Sequence, residues 1–166
     1  MFDFLSSREL SVCAKEDFKS EKFSDSLIKY KLLLKRGDAP VDTHANLARV
    51  YAKLSLFEEA KTAFEEYLID SPDAYIERFQ LGLILLDLGQ LNHAQDEWDK
   101  VLTTENNFPP ALYYKALVAK QQGDESSSEF LLNQLFSCVE EDNLYYKLGQ
   151  ELKDSELTTD SAINVN

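Results

Sequence analysis

A 34-residue period runs through most of this chain of 166 residues. Small residues recur at that spacing in two series, and bulky residues recur in a third. The first small series is Ser26, Ala60, Ala94 and Ser128; the bulky series is Tyr30, Phe64, Trp98 and Leu132; the second small series is Ala14, Ala48, Gly82 and Ala116. One such repeat cannot bury its apolar face alone, so we expect a stack of similar repeats.

Within each period the apolar residues follow helical spacing, which predicts two amphipathic helices of about 13 residues in each repeat. We expect the small residues to lie where the two helices cross and the bulky residues to fill the space beside them. Gly89 and Gly123 are predicted to end the first helices of the third and fourth repeats. The segment 70–73 is predicted to supply a turn and a helix N-cap. Prolines are expected between repeats, at Pro40, Pro72, Pro109 and Pro110.

At these positions the chain resembles the tetratricopeptide repeat family. The second repeat, 41–74, carries the family pattern at Leu47, Ala48, Tyr51, Ala60, Phe64 and Pro72, and the third, 75–108, carries it at Leu81, Gly82, Gly89, Ala94 and Trp98. Three positions depart from the pattern, since Asp17 stands where an aromatic residue is usual, Lys115 where leucine is usual and Ser128 where alanine is usual. The resemblance implies a right-handed all-α solenoid of about four hairpins.

The repeat register divides the chain into four kinds of segment. We predict an N-terminal arm at 1–6, repeats at 7–40, 41–74, 75–108 and 109–142, a capping helix at 143–153 and a disordered acidic tail at 154–166. A cap with a polar outer face is needed because the last repeat otherwise exposes its apolar side.

Composition excludes several classes of partner. Lys+Arg is 17 and Asp+Glu is 30, which gives a net charge of −13, so nucleic acid and anionic lipid should be repelled. No signal peptide is evident and no apolar run approaches the length of a membrane span, so we expect a cytoplasmic protein. Cys13 and Cys138 are expected to be free thiols.

No motif for catalysis or cofactor binding is present. The glycines do not form a phosphate-binding loop, and His44 and His93 each stand alone. Neighbouring carboxylates such as Glu58 and Glu59 are placed as ordinary helix-surface charges. We therefore expect a non-enzymatic protein without a metal or cofactor.

The family resemblance implies that the first helices of successive hairpins line a concave groove for a peptide or a partner helix. The repeat register predicts a partner-binding set on that face: Lys15, Lys19, Asn46, Arg49, Lys53, Phe79, Leu83, Tyr113, Tyr114 and Leu117. The same register adds Arg8, Phe18, Ile76, Gln80, Leu86 and Lys120. An alternative is that the cations form an ordinary solvated helix face and that Phe79, Leu83 and Leu86 pack internally.

Charge is distributed unevenly along this groove. Residues 1–40 carry 8 Lys+Arg against 7 Asp+Glu, whereas 41–74 carries 3 against 7. The predicted groove is basic in repeats one and two and apolar and aromatic in repeats three and four. This division favours a ligand with an acidic part and a hydrophobic anchor. The expected function is a protein-protein interaction scaffold or adaptor.

Two specialised roles were compared with this general one. Some family members bind acidic chaperone tails through a carboxylate clamp; here Asn46 fits one clamp position, but Lys15, Ile76 and Gln80 do not fit theirs. The chain also resembles the tetratricopeptide chaperones of type III secretion translocators in size and acidity. Those chaperones usually carry a longer helical segment before their repeats, whereas the first repeat is predicted here from residue 7. A homodimer is expected if Phe2, Phe4 and Leu5 dock on another copy.

Overall fold

The computed structural model describes residues 4–155. Those residues form nine α-helices and no strand: α1 Ser7–Lys19, α2 Phe23–Arg36, α3 Thr43–Lys53, α4 Phe57–Asp70, α5 Tyr75–Asp87, α6 Leu91–Thr104, α7 Pro109–Gln121, α8 Glu125–Cys138 and α9 Leu144–Asp154. The all-α prediction is confirmed. The predicted tail lies outside the described residues, apart from its first two positions.

The chain divides into two compact units, Met1–Glu97 and Trp98–Asn166, and the boundary falls within α6. In the first unit α1 packs on α2, α2 on α3, α3 on α4, and α4 on α5. One of its buried clusters joins the first hairpin to α3 and consists of Leu10, Ala14, Tyr30, Leu33, Leu47 and Val50. In the second unit α9 packs on both α7 and α8, around a cluster of Leu112, Ala116, Leu132, Leu135 and Leu152.

All twelve residues of the three 34-residue series are buried. The first hairpin shows why small residues are required at the crossing. The Ser26 hydroxyl donates a hydrogen bond of 2.8 Å to the backbone carbonyl of Ala14 on the facing helix. A side chain can bond to the opposite backbone only when the two helices approach closely. The small residues of the 34-residue period therefore lie where the two helices of a hairpin cross.

The turn between the two helices has the same form in every hairpin. Residues Glu21, Ser55, Gly89 and Gly123, each 34 positions apart, have φ values of 59°, 57°, 72° and 79°. The next residue closes the turn through backbone N–H to carbonyl bonds of 2.8–2.9 Å: Lys22 to Asp17, Leu56 to Tyr51, Gln90 to Leu85, and Asp124 to Ala119. These are Schellman caps, in which a left-handed residue reverses the chain.

Ion pairs occupy two of the three positions that depart from the family pattern, Asp17 and Lys115. Asp17 accepts a hydrogen bond from Lys29 of the second helix of its hairpin, and both side chains are mostly buried. Lys115 of α7 donates to Asp99 of α6. Each of these two departures is therefore matched by an opposite charge on an adjacent helix.

The ends of the described chain are tied down by polar contacts. The arm residue Leu5 packs against the first core cluster, and its carbonyl accepts a 2.7 Å bond from Arg36. Phe4 is exposed, whereas Phe2 lies outside the described residues.

The segment before α5 forms the predicted turn, but the predicted N-cap is wrong, because the cap is Ala74 and no side chain bonds there.

Lys120 is buried rather than directed into a groove, which corrects the prediction for this residue. Its ammonium donates to the carbonyls of Leu152 and Ser155 at 2.5 and 2.7 Å. Both carbonyls lie at the end of α9, where a helix leaves its last acceptors without internal donors and where positive charge is favourable. Lys120 thus fastens the capping helix to α7.

Neither cysteine forms a disulfide, as predicted. None of the helices within residues 4–155 combines the length and the apolar character needed to cross a membrane.

Replacing Ser55 by glycine should stabilise the first unit. A residue other than glycine in the left-handed region costs about 1–2 kcal/mol, part of which glycine's greater freedom in the unfolded chain offsets. We expect Ser55→Gly to raise the free energy of unfolding by up to about 1 kcal/mol in urea titrations. Ser20→Gly is the control, since Ser20 has an ordinary φ of −87°. An equal gain in both variants would contradict the explanation.

Removing the Lys120 ammonium should loosen the capping helix. Lys120→Met keeps an apolar stem of similar length but removes the ammonium donor from both carbonyls, of which the Leu152 carbonyl keeps the Ser155 hydroxyl as a donor at 2.8 Å. The expected cost is about 1–3 kcal/mol. Amide hydrogen exchange in α9 should accelerate more than exchange in α7 or α8. Lys147→Met changes the same charge at an exposed position of α9 and should leave exchange unchanged. Unaltered exchange of α9 in Lys120→Met would show that the ammonium does not fasten it.

Candidate functional site

A chain of polar contacts crosses the first helices of three successive hairpins in the first unit. Lys15 of α1 donates to Asp42 at 2.7 Å, and Asn46 of α3 donates to the same carboxylate oxygen at 3.0 Å. Arg49 then donates to the side-chain carbonyl of Asn46 at 3.1 Å. The same guanidinium reaches α5, where it bonds Glu77 at 2.5 Å and Gln80 at 3.0 Å.

The sequence places these groups together through helical spacing. Asp42 is the N-cap residue of α3, and Asn46 and Arg49 follow it at i+4 and i+7, which is one face of the helix. Glu77 and Gln80 are three residues apart on α5. Asn46, Arg49 and Gln80 were predicted on this face, but Asp42 and Glu77 were missed. The i, i+4 spacing from Asp42 to Asn46 was a signal that could have located the first of them.

The environment of Asp42 favours its charged form. Partial burial raises the pKa of a carboxyl group, but the hydrogen bonds from Lys15 and Asn46 and the charge of Lys15 outweigh that effect. The pKa of Asp42 therefore lies below its ordinary value. The carboxylate is a fixed negative centre of the network at neutral pH.

A pocket of about 340 Å3 opens beside this network. We call it the basic pocket; it is lined by Lys15, Phe18, Lys19, Tyr30, Asn46 and Arg49. Four residues of the predicted binding set thus share one cavity with two aromatic rings. Tyr30 is almost fully buried, and this burial raises the pKa of its hydroxyl, so the ring forms a neutral wall.

Much of the positive charge at this pocket is balanced within the chain. Lys15 pairs with Asp42, Arg49 with Glu77, and Lys19 with Glu16 at 2.8 Å. Lys53, the last residue of α3, is exposed and does not line the pocket. The face is therefore less basic than a count of its Lys and Arg residues suggests.

The apolar members of the predicted set contribute unequally. Phe79 retains only 8% exposure, so most of its ring belongs to the core of the first unit. Leu83 is partly buried. Neither residue lines the basic pocket.

In the second unit the predicted aromatic residues form a cluster. The rings of Tyr113 and Tyr114 lie edge to face at 5.3 Å, Tyr113 lies 5.9 Å from Tyr145 of α9, and Tyr114 lies 5.8 Å from Trp98. Burial raises the pKa of both Tyr113 and Tyr145, so they stay neutral at physiological pH. Leu117 packs against the core of this unit. Trp98 is fully buried, whereas the three tyrosines and Leu117 are half-buried, with part of each side chain left on the surface.

The family model described as tetratricopeptide repeat matches residues 41–68, within the second predicted repeat. That segment is similar to a tetratricopeptide repeat, and the 34-residue period continues on both sides of it. A comparison with curated proteins gave no match to the sequence.

Solved structures of tetratricopeptide repeat proteins share the fold of this chain. YrrB, described as a TPR protein with an unusual peptide-binding site, matches with a TM-score of 0.80 at 16% identity, over 90% of this chain and 75% of YrrB. A tetratricopeptide repeat protein from Parabacteroides merdae ATCC 43184 matches at 0.79 and 23% identity, over 90% of this chain. This chain spans only 59% of that protein. MamA from Desulfovibrio magneticus RS-1 matches at 0.77 and 14% identity, covering 89% and 83% of the two chains. The all-α tetratricopeptide solenoid class is thereby confirmed.

The lowered pKa of Asp42 predicts a pH-dependent contribution to stability. A depressed carboxyl pKa stabilises the fold above the unfolded value of about 3.9, and the contribution disappears as pH falls through the folded value. We expect Asp42→Asn to lower the free energy of unfolding at pH 7 and the difference from wild type to shrink below about pH 4. Asp70→Asn, at an exposed site, is the control for urea titrations. A difference independent of pH would mean that the charge of Asp42 does not matter.

Proposed function

We propose that this protein is an interaction scaffold that holds a peptide or helix of a protein partner against the first helices of its first unit. The family and the fold are those of non-catalytic scaffolds that bind proteins or peptides. The observation that supports this location is the basic pocket, where Lys15, Lys19, Asn46 and Arg49 surround the ring of Phe18.

The chemistry of the pocket favours a ligand with an acidic group next to a bulky apolar side chain. Phe18 is half-buried and offers an aromatic wall. Lys19 is the lining cation with the most freedom, since its side chain is 70% exposed and its pair with Glu16 is a surface pair. Such surface pairs contribute little, so a ligand carboxylate can replace Glu16 at small cost.

Lys15 and Arg49 act differently, because each is already part of the network around Asp42 and Asn46. They are held in fixed positions, so a ligand does not have to order them. In this proposal they orient the ligand, while Lys19 supplies the exchangeable charge.

The aromatic cluster of the second unit is proposed as a separate contact surface. Tyr113, Tyr114 and Leu117 offer half-buried apolar area with polar hydroxyls, which is the composition of many interface anchors. Its role is tested independently, by Leu117→Ala in the same binding measurements.

A photo-crosslinking residue at position 18 tests the proposed location. We would replace Phe18 by benzoylphenylalanine in the organism that makes the protein, with a second version carrying the probe at exposed Ile28 on α2 as the control. Irradiation should link one protein partner to position 18 and not to position 28. Lys19→Ala should reduce that product several-fold, because the pocket loses its exchangeable charge, whereas Lys35→Ala at an exposed site of α2 should not.

The identity of the captured protein separates two versions of the function. A scaffold's partner should be soluble when it is expressed alone, whereas a secretion chaperone's client should require coexpression. Equal crosslinking from positions 18 and 28, or a product insensitive to Lys19, would contradict the assignment to the basic pocket.

A further inference from the structure

A second pocket of the first unit has the opposite charge. It measures about 350 Å3 and lies where α2, α3 and α4 meet. Leu47, Tyr51 and Ala63 form its apolar floor, and Glu58, Glu59 and Glu66 stand at its rim. We call it the acidic pocket. It shares no lining residue with the basic pocket.

The repeat provides an internal comparison for this pocket. Leu81, Leu85 and Glu97 stand 34 positions after Leu47, Tyr51 and Ala63, and they line a similar pocket of about 380 Å3. There Arg78 donates to Glu97 at 2.7 Å, and the two side chains are only 16% and 14% exposed. The later pocket thus contains its own cation and its own carboxylate.

The acidic pocket lacks that arrangement. Ala63 stands at the position of Glu97 and His44 at the position of Arg78. The Nδ1 atom of His44 lies 2.8 Å from Glu66. Glu58 and Glu59 form no ion pair with any residue between 4 and 155, and both are exposed. The acidic pocket therefore has no arginine–carboxylate pair in its lining, and Glu58 and Glu59 stand at its rim without ion-pair partners among residues 4–155.

One cation of the chain approaches this place from outside. Lys31 of α2 lies with its ammonium 5.7 Å from the centre of the Tyr51 ring, which is a cation–π distance. The floor residue Tyr51 therefore presents a ring face at which an ammonium group is stable. The single positive charge of Lys31 does not balance the three glutamates, so the pocket keeps an excess of negative charge.

We propose that the acidic pocket binds a basic segment of a partner protein, in which a bulky apolar side chain is flanked by Lys or Arg. The apolar side chain enters between Leu47, Tyr51 and Ala63, and the flanking cations pair with Glu58, Glu59 and Glu66. Charge complementarity identifies the occupant, since an acidic or neutral segment would leave Glu58 and Glu59 without an opposite charge. This surface is distinct from the basic pocket and does not depend on the function proposed there.

The test uses the hexapeptide acetyl-Lys-Lys-Phe-Leu-Lys-Lys-amide as a defined probe, titrated into the isotope-labelled full-length protein and followed by amide NMR shifts. The shifts should concentrate at Leu47, Tyr51 and Ala63 rather than at the equivalent Leu81 and Leu85. Affinity should fall as salt is raised. A peptide with Ala-Ala in place of Phe-Leu should bind several-fold more weakly, because it has no side chain for the floor.

A charge-neutral variant separates this pocket from the general acidity of the protein. Glu58→Gln, Glu59→Gln and Glu66→Gln together should weaken binding by about tenfold, since three surface ion pairs are lost. The matched control is Asp25→Asn, Asp70→Asn and Asp73→Asn, which removes the same charge from exposed sites of the same unit. Circular dichroism and urea titration verify that both variants stay folded.

Several outcomes would overturn the proposal. These are no detectable binding of the probe, shifts centred on Lys15 and Asn46, or an equal loss of affinity in the control variant. Amide shifts at Leu47, Tyr51 and Ala63 that depend on protein concentration without peptide would instead identify a second copy of this chain as the occupant.

Discussion

Close contact between the two helices of a hairpin is the constraint on which the remaining structure depends. In the first hairpin it is tight enough for Ser26 to bond the backbone of Ala14, and the equivalent positions Ala60 and Ala94 are fully buried. Helices normally pack with axes 8–10 Å apart, and side chains at the contact set that distance. Because the crossing positions hold small residues, the large apolar side chains lie on either side of the crossing, where they form the core clusters.

Electrostatic pairing within the chain shapes the surfaces that remain. The protein has 17 Lys and Arg residues, and many of them are engaged by its own carboxylates or carbonyls. Those with such partners include Lys15, Lys29, Arg49, Arg78, Lys115 and Lys120. The acidic side chains outnumber the cations, and Glu58 and Glu59 are two carboxylates with no ion pair to any residue between 4 and 155. The first unit therefore carries both a pocket whose cations are largely neutralised and a pocket rimmed by the unpaired Glu58 and Glu59.

The hydrophobic pattern predicted burial well because burial follows a simple period. Residues such as Tyr30 and Phe64 recur at the spacing of one repeat, and nothing but position in the hairpin is needed to place them inside. The turn residues were only half predicted. Gly89 and Gly123 are visible as glycines, but Glu21 and Ser55 adopt the same left-handed conformation without that signal.

Side-chain pairing across helices was harder to predict, because it depends on the conformations that long, flexible side chains adopt. Asn46 and Arg49 were placed on the correct face, yet their partners Asp42 and Glu77 were not. Lys120 was assigned to a groove from its helical register, but its flexible stem carries the ammonium to the end of α9. Register fixes where a Cβ atom points, whereas the far end of a lysine is decided by which acceptors lie within reach.

The bond between Lys120 and the end of α9 has a consequence for how this protein can vary. Its acceptors at Leu152 and Ser155 are main-chain carbonyls, which every amino acid provides. Substitution at Ser155 therefore leaves the main-chain acceptor in place, whichever side chain replaces that of serine. Changes at positions 120 and 155 need not accompany one another, so this attachment would be invisible to any method that searches for paired substitutions among related sequences.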